Sequence, residues 1–329
     1  MLTQQLFETA ERRINELING PGSSGGYRTV WHTLELEGIY VPRLFVQLYL
    51  KEIDPEGCDH RKRHKLKRRE YQNPGPNSAW HMDGYDKIKP WGFPIHGAID
   101  GYSRKVLWLK VTRSNNNPDN IAKFYLESVE TIKGCPKILV TDLGTENGTA
   151  ASIQCYFQED SNAHRYVPSP RNQRIECWWS QFHRVRASWW RLFFQDLADQ
   201  NKYDGTLEIH KEALWYCFSD LLQKDLDFVK NHWNSHHIRR SRYDTVSRRP
   251  DVLFNLPHRS GGEESKILVN AEKLSYVKEN VLTDDDDAEN VYTSYFDYVC
   301  YECQLNLPSN YQEGIILFEK LIDYAENGS

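Results

Sequence analysis

Three acidic residues stand where carboxylates can act together. Asp83 lies in the aromatic-rich strand start Trp80-His81-Met82-Asp83-Gly84-Tyr85. Asp142 closes the apolar run Ile138-Leu139-Val140-Thr141. Glu176 sits just inside a helix that opens at Ser169-Pro170-Arg171-Asn172. Carboxylate oxygens are hard ligands that suit Mg2+ or Mn2+. Two such ions, about 3.5–4 Å apart, can activate an attacking hydroxyl and stabilise the leaving oxygen of an in-line phosphodiester displacement. One carboxylate must bridge both ions, and mid-strand Asp83 is on the most rigid element. Asp142 would complete one ion's shell and Glu176 the other's. Asp86, Asp100 and Glu146 are nearby competitors. Asp100 precedes Gly101 and reads as a turn residue, and Glu146 is either a substitute ligand or a solvated loop acid.

The elements that must position these acids follow from periodicity and punctuation. Leu6, Ala10, Ile14 and Leu17 recur at helical spacing over 3–18, and Gly20-Pro21-Gly22 ends that helix. Further helices are expected over 27–38 and 42–52, then the linker Asn73-Pro74-Gly75-Pro76. Strands are expected at 80–87, 94–100, 105–112, 137–141 and 164–167, with helices at 120–133 and 150–157 between the later ones. A long helix from Pro170 would bury Ile175, Trp178, Phe182, Val185, Trp189 and Leu192 as one stripe, leaving Trp179 and Trp190 as interface candidates. Arg186 and Arg191 would then be solvated. A second long helix runs from Leu207 to about Trp233. Beyond Pro257 the pattern weakens, with β-type residues at 291–301 and a helix at 312–325. Antiparallel strands first, then parallel strands with helices between, is the ribonuclease-H-like plan: an α/β mixed sheet flanked by helices. The expected organisation is an N-terminal helical segment (1–75), the core (76–200), a C-terminal helical extension (201–259) and an acidic tail (260–329).

Composition narrows the partners. The 329 residues include ten Trp and nineteen Tyr, mean hydropathy is clearly negative, and no run approaches the roughly 18 apolar residues of a membrane span. Met1–Gln5 has neither the basic nor the apolar stretch of a secretory signal. The seven cysteines are odd in number and read as buried thiols in a reducing compartment. Net charge is −5, but it is unevenly spread. Residues 260–329 carry 4 Lys and no Arg against 15 acids, a balance of −11 that leaves +6 on the rest. Within that basic body, Arg61, Lys62, Arg63, Lys65, Lys67, Arg68 and Arg69 form a like-charge block suited to phosphate contact or nuclear import. On the Glu176 helix, Asn172, Arg174 and Arg184 are placed to position a DNA backbone.

The stretches around the acids carry a resemblance. Trp80–Tyr85, then Ile99-Asp100-Gly101-Tyr102-Ser103-Arg104, Val140-Thr141-Asp142-Leu143-Gly144-Thr145-Glu146-Asn147 and Asn172-Gln173-Arg174-Ile175-Glu176 resemble the catalytic core of retroviral-type integrases and DDE transposases. The similarity is closer to the integrase-core-domain proteins of animal genomes, and it spans about 25–257. It implies two-metal DNA cleavage and strand transfer through Asp83, Asp142 and Glu176, with mobile-element ancestry, a homo-oligomer and DNA as partner; the 61–69 block adds the expectation of a nuclear location. Asp142 and Glu176 are separated by 33 residues, slightly under the usual retroviral interval, and Gln173 stands where the family often has Gly. Two other functions remain open on the same residues: a domesticated, catalytically idle nucleic-acid-binding protein, and a ribonuclease-H-type nuclease that cuts without joining.

Overall fold

The computed structural model describes residues 4–23, 25–62, 73–239, 246–280 and 290–328. Ahead of the sheet come α1 (Gln4–Ile18), α2 (Tyr27–Leu36), α3 (Arg43–Ile53) and α4 (Pro55–Lys62). The first three close on Ala10, Ile14, Val30, Leu34, Val46 and Leu50, a small core of their own. The fourth was not expected; Pro55 opens it at the position where a missing N–H is harmless.

β1 (Ala79–Tyr85), β2 (Ile95–Asp100) and β3 (Val106–Val111) are followed by α5 (Pro118–Ile132), β4 (Ile138–Thr141), α6 (Gly148–Gln158) and β5 (His164–Tyr166). They make one sheet in the order β3-β2-β1-β4-β5. β1, β2 and β3 pair antiparallel, whereas β4 joins β1, and β5 joins β4, in parallel. This is the mixed ribonuclease-H-like sheet. Side-chain alternation gives it two faces. Trp80, Met82, Ala98 and Trp108 pack with Ile121, Tyr125 and Ile153 of α5 and α6. Tyr85, Ile95, Ile99 and Leu109 face the opposite layer.

That opposite layer holds α7 (Gln173–Phe182), α8 (Ser188–Asp199) and α9 (Glu208–Ser235). Here the expectation of one continuous helix from Pro170 fails. A 3-10 turn at Ser169–Arg171 precedes α7, and a π turn at His183–Ala187 separates it from α8. A π turn takes up an extra residue and rotates everything after it. The buried stripe therefore shifts from Val185, Trp189 and Leu192 to Ala187, Trp190, Phe194 and Leu197, and Leu192 is half exposed. Trp179 and Trp190 are core residues, not interface ones. Arg186, expected in solvent, is buried with its guanidinium 3.5 Å from Asp225 and over the Phe228 ring.

The remaining helices are α10 (Pro250–Asn255), α11 (Ala271–Asn280), α12 (Val291–Glu302) and α13 (Tyr311–Asn327). The β-type reading of 291–301 is overturned by α12. Asn290 caps it by accepting from the Tyr292 and Thr293 amides, and Phe296 and Val299, three apart, turn inward. Tertiary burial overrides strand propensity here. Phe318 and Leu321 of α13 enter the same core as Leu214 and Phe218 of α9. The acid-rich C-terminal region thus shares the largest core. Cys300 and Cys303, a Cys-x-x-Cys spacing, sit on or beside α12 with free thiols, as are the other five cysteines. No helix among the described residues is long and apolar enough to cross a membrane.

Candidate active site

Asp83 is on β1, the middle strand. The β1–β4 register pairs Ala79 with Ile138, Trp80 with Leu139 and His81 with Val140. Carried on by two residues, it puts Asp83 level with Asp142, which follows the carboxyl end of β4. Ligand sites of open α/β sheets form at such strand ends. Asp142 is held there by its loop. Its Oδ1 accepts from the Gly144 amide at 3.2 Å and from Asn147 Nδ2 at 3.0 Å. Asn147 is itself buried and also reaches Glu146 Oε1 at 3.4 Å, so Glu146 stays beside Asp142.

Glu176 comes from the first turn of α7, where carboxylates are favoured by the helix dipole, and its Oε1 accepts a hydrogen bond from Ser169 Oγ. Alternation along β1 aims His81 and Asp83 at α7. Asn172, at the entry to α7, does not cap the helix with its side chain. Its Nδ2 donates to the Met82 carbonyl at 3.0 Å, and its Oδ1 lies 2.7 Å from His81 Nδ1. Because the amide oxygen can only accept, His81 Nδ1 carries the proton. Burial holds His81 neutral, with its pKa lowered to about 4. Three residues beyond Glu176, Trp179 Nε1 donates to Asp83 Oδ2 at 3.2 Å. The other Asp83 oxygen accepts from the Gly84 amide at 3.0 Å.

Asp83 feels the other two acids. Burial, then the charges of Asp142 and Glu176, push the Asp83 carboxyl up to about 8, against the downward pull of the Trp179 and Gly84 hydrogen bonds. Three carboxylates sharing a half-buried strand end make a deficit of positive charge. Their all-oxygen donor set is the kind that hard divalent cations take. Among the described residues, no three His, Cys, Asp or Glu side chains are grouped tightly enough to ligate a metal as they stand. A cation would have to draw the carboxylates inward.

Two of the competing acids are set aside by their partners. Asp86 is exposed and tied to Lys89 and Asn115. Asp100 is fully buried at the far end of the adjacent strand, where it accepts from the Asn77 and Ser103 amides, and burial raises its pKa to about 6. For the expected DNA contacts, Arg184 is exposed and Arg174 half-buried on the Glu176 side. Asn172 has no exposed surface; its role in this structure is to fasten α7 to β1. The side chains of Arg61 and Lys62, and residues 63–69 with Arg63, Lys65, Lys67, Arg68 and Arg69, lie outside the described residues. Sequence reasoning missed His81, Asn147 and the Trp179 bond. Only Trp179 left a signal, an indole one helical turn from Glu176.

With this geometry in hand, a family model described as "Integrase core domain" matches residues 70–254, more than half of the chain and all three acids. The chain belongs to the integrase core domain family. No curated protein matches. Among solved structures, the integrase-core chain is similar to one in the simian T-cell lymphotropic virus intasome in complex with PP2A regulatory subunit B56 gamma. That match has 17% identity over 73% of this chain and 76% of the other, with a TM-score of 0.31.

Proposed function

We propose that this integrase-core protein is a divalent-metal-dependent polynucleotidyl transferase that cleaves DNA and joins strands. One observation carries the reading: β1, the end of β4 and the first turn of α7 bring three carboxylates to one strand end, where burial, and then the charges of Asp142 and Glu176, push Asp83 up to about 8. Two Mg2+ or Mn2+ ions bound there would supply an activated hydroxyl and charge stabilisation on the leaving oxygen. Asp83 would hold both ions, Asp142 and Glu176 one each. Asn147 keeps Asp142 aimed into the site, and Ser169 does the same for Glu176. Arg174, Arg184 and the 61–69 block would position the DNA backbone without reading sequence. A homo-oligomer and a nuclear location belong to the same proposal.

Incubation of the purified protein with end-labelled DNA and Mn2+ tests it. Nicked and joined products are expected, and Asp83→Asn and Glu176→Gln should each lower their rate by more than about 100-fold, beyond the usual cost of losing a mere supporting residue. Wild-type rates in either variant would end the assignment. Cut strands without joined ones would make it a nuclease. The absence of a ready-grouped metal-ligand set among the described residues favours one second reading, a DNA-binding protein without turnover. That reading requires equal DNA affinity in chelator and in Mn2+, with no product in either.

A further inference from the structure

Glu176 is bracketed by two ties between its helix and the strand of Asp83. Four residues earlier, Asn172 binds His81 and the Met82 carbonyl. Three residues later, Trp179 binds the Asp83 carboxylate itself. The first tie is buried and the second half-buried, so α7 cannot slide along β1 without breaking polar bonds, the first of which water cannot replace.

The second tie depends on a gap. Asp83 pairs across the sheet with Gly97 of β2, and directly paired residues present the same face. Gly97 leaves that spot empty, and the Trp179 indole fills it. A Cβ on Gly97 would stand 2.9 Å from Trp179 Cη2 and 3.3 Å from Leu109 Cδ1. The indole is also wedged by Tyr85, Trp178 and Phe182, with ring centroids at 5.1, 4.9 and 5.8 Å. Its N–H is therefore fixed in direction, and it is directed at Asp83 Oδ2. With Gly84 holding Oδ1, the carboxylate plane is set while each oxygen keeps a lone pair for a cation.

We infer that Trp179 is a positioning residue for the cation site: its indole N–H, seated over the bare Gly97, orients the Asp83 carboxylate and locks the Glu176 helix in register with it. The inference rests on the reading of Asp83, Asp142 and Glu176 as cation ligands. The simpler alternative is a core tryptophan that donates to the nearest acceptor. The two differ in what the bond does to metal affinity.

The test uses the full chain stripped of metal. Mn2+ binding is read from the loss of its free electron paramagnetic resonance signal, and folding from circular dichroism. Trp179→Phe keeps a ring over Gly97 but loses the N–H, and should weaken Mn2+ binding about tenfold or more, as removal of groups that orient metal ligands does. Gly97→Ala displaces the indole from the other side and should act in the same direction if Trp179→Phe is too unstable to assay. Trp189→Phe trims a tryptophan packed on the same core but stacked on Phe193, away from the Trp179 indole, and should stay within about twofold of wild type. The Trp179 indole N–H resonance, assigned by its absence in Trp179→Phe, should move on addition of Mg2+ and also in Asp83→Asn. Unchanged Mn2+ affinity in both Trp179→Phe and Gly97→Ala, or an indole resonance indifferent to Mg2+ and to Asp83→Asn, would overturn the inference alone. No Mn2+ binding by the wild type would sink the cation reading and the inference with it.

Discussion

At the scale of single residues, the site stores an electrostatic conflict. Asp83 is an acid pushed up to about 8 by burial and by Asp142 and Glu176, so the ionised, metal-free site is unfavourable. A native state that binds a proton the unfolded chain has already lost becomes less stable as pH rises between the two pKa values. For Asp83 that window runs from its ordinary 3.8 to about 8. Asp83→Asn should therefore raise the melting temperature of the chelated protein at pH 8.5 while abolishing turnover, the stability–function exchange expected of a strained site, with a gain of roughly 1 kcal/mol. The gain should shrink at pH 5, where the wild-type carboxyl is already protonated. Differential scanning calorimetry in chelator at both pH values checks this; equal gains would mean that the charge of Asp83 is not what costs stability. The acids themselves were readable from sequence because each is flanked by a distinctive run. The groups that hold them were not. His81, Asn147 and Asn172 act through contacts between elements far apart in the chain, and no local pattern encodes which amide will reach which carbonyl.

At the scale of elements, most strands and helices were legible because their apolar spacing is regular, and the failures have physical causes. The π turn at His183–Ala187 leaves no mark on helical periodicity before it and shifts the phase after it, so Arg186 and Trp190 were assigned to the wrong side. Both now converge on Asp225, which is 3.5 Å from the Arg186 guanidinium and accepts from Trp190 Nε1 at 2.9 Å. Asp225→Ala would strand a buried guanidinium and a buried indole N–H, and should cost about 3–5 kcal/mol; Asp225→Asn, which still accepts from Trp190, should cost less. Urea unfolding monitored by tryptophan fluorescence measures both. A loss under about 1 kcal/mol for the alanine variant would show that the pair is solvated after all. Helix α12 was misread because Val291, Tyr292, Thr293 and Tyr295 favour strands locally, whereas the inward faces of Phe296 and Val299 were decided by α9. The α9–α13 contact is close enough that a Cβ on Gly314 would lie 2.6 Å from Phe218 Cε1. Gly314→Ala should then destabilise by about 1–3 kcal/mol, the usual cost of overpacking, although alanine is the better helix former. A stabilised variant in the same urea assay would mean that α13 can shift outward at no cost.

At the scale of the whole molecule, the N-terminal helices meet the core through a pair of histidines. His32 of α2 and His232 of α9 bring Nδ1 and Nε2 to 3.1 Å, and His232 Nε2 also lies 3.1 Å from the Thr29 carbonyl. One proton serves this junction, placed on His232 Nε2 so that Thr29 and His32 both accept. A second proton has no acceptor there. Burial lowers His32 to about 4, helped by the positive influence of His236 and Arg249. His232 is lowered to about 3 by burial, then by His32, His236 and Arg186. No carboxylate is among these influences. A histidine held neutral in this way contributes stability in full above its ordinary value of 6.5 and loses it as pH falls toward the depressed folded value. Between about pH 6.5 and 4 the junction should therefore weaken. His81 of β1 and His96 of β2 are likewise held neutral by burial, at about 4 and about 3, but both are buried within the five-stranded sheet, whereas the junction borders only the small core of Ala10, Leu34 and Val46, so opening should begin between α2 and α9 with α1 and α3 following. Hydrogen exchange followed by mass spectrometry at pH 7.5 and pH 4.5, corrected for intrinsic rates, reads this directly. Amides in 27–53 should lose more protection at the lower pH than those of β1 and β2. His232→Asn, which retains a donor toward Thr29 but cannot be charged, should keep 27–53 protected at both pH values. Loss of protection at pH 4.5 that is the same in His232→Asn as in the wild type would move the origin of the acid sensitivity away from this junction.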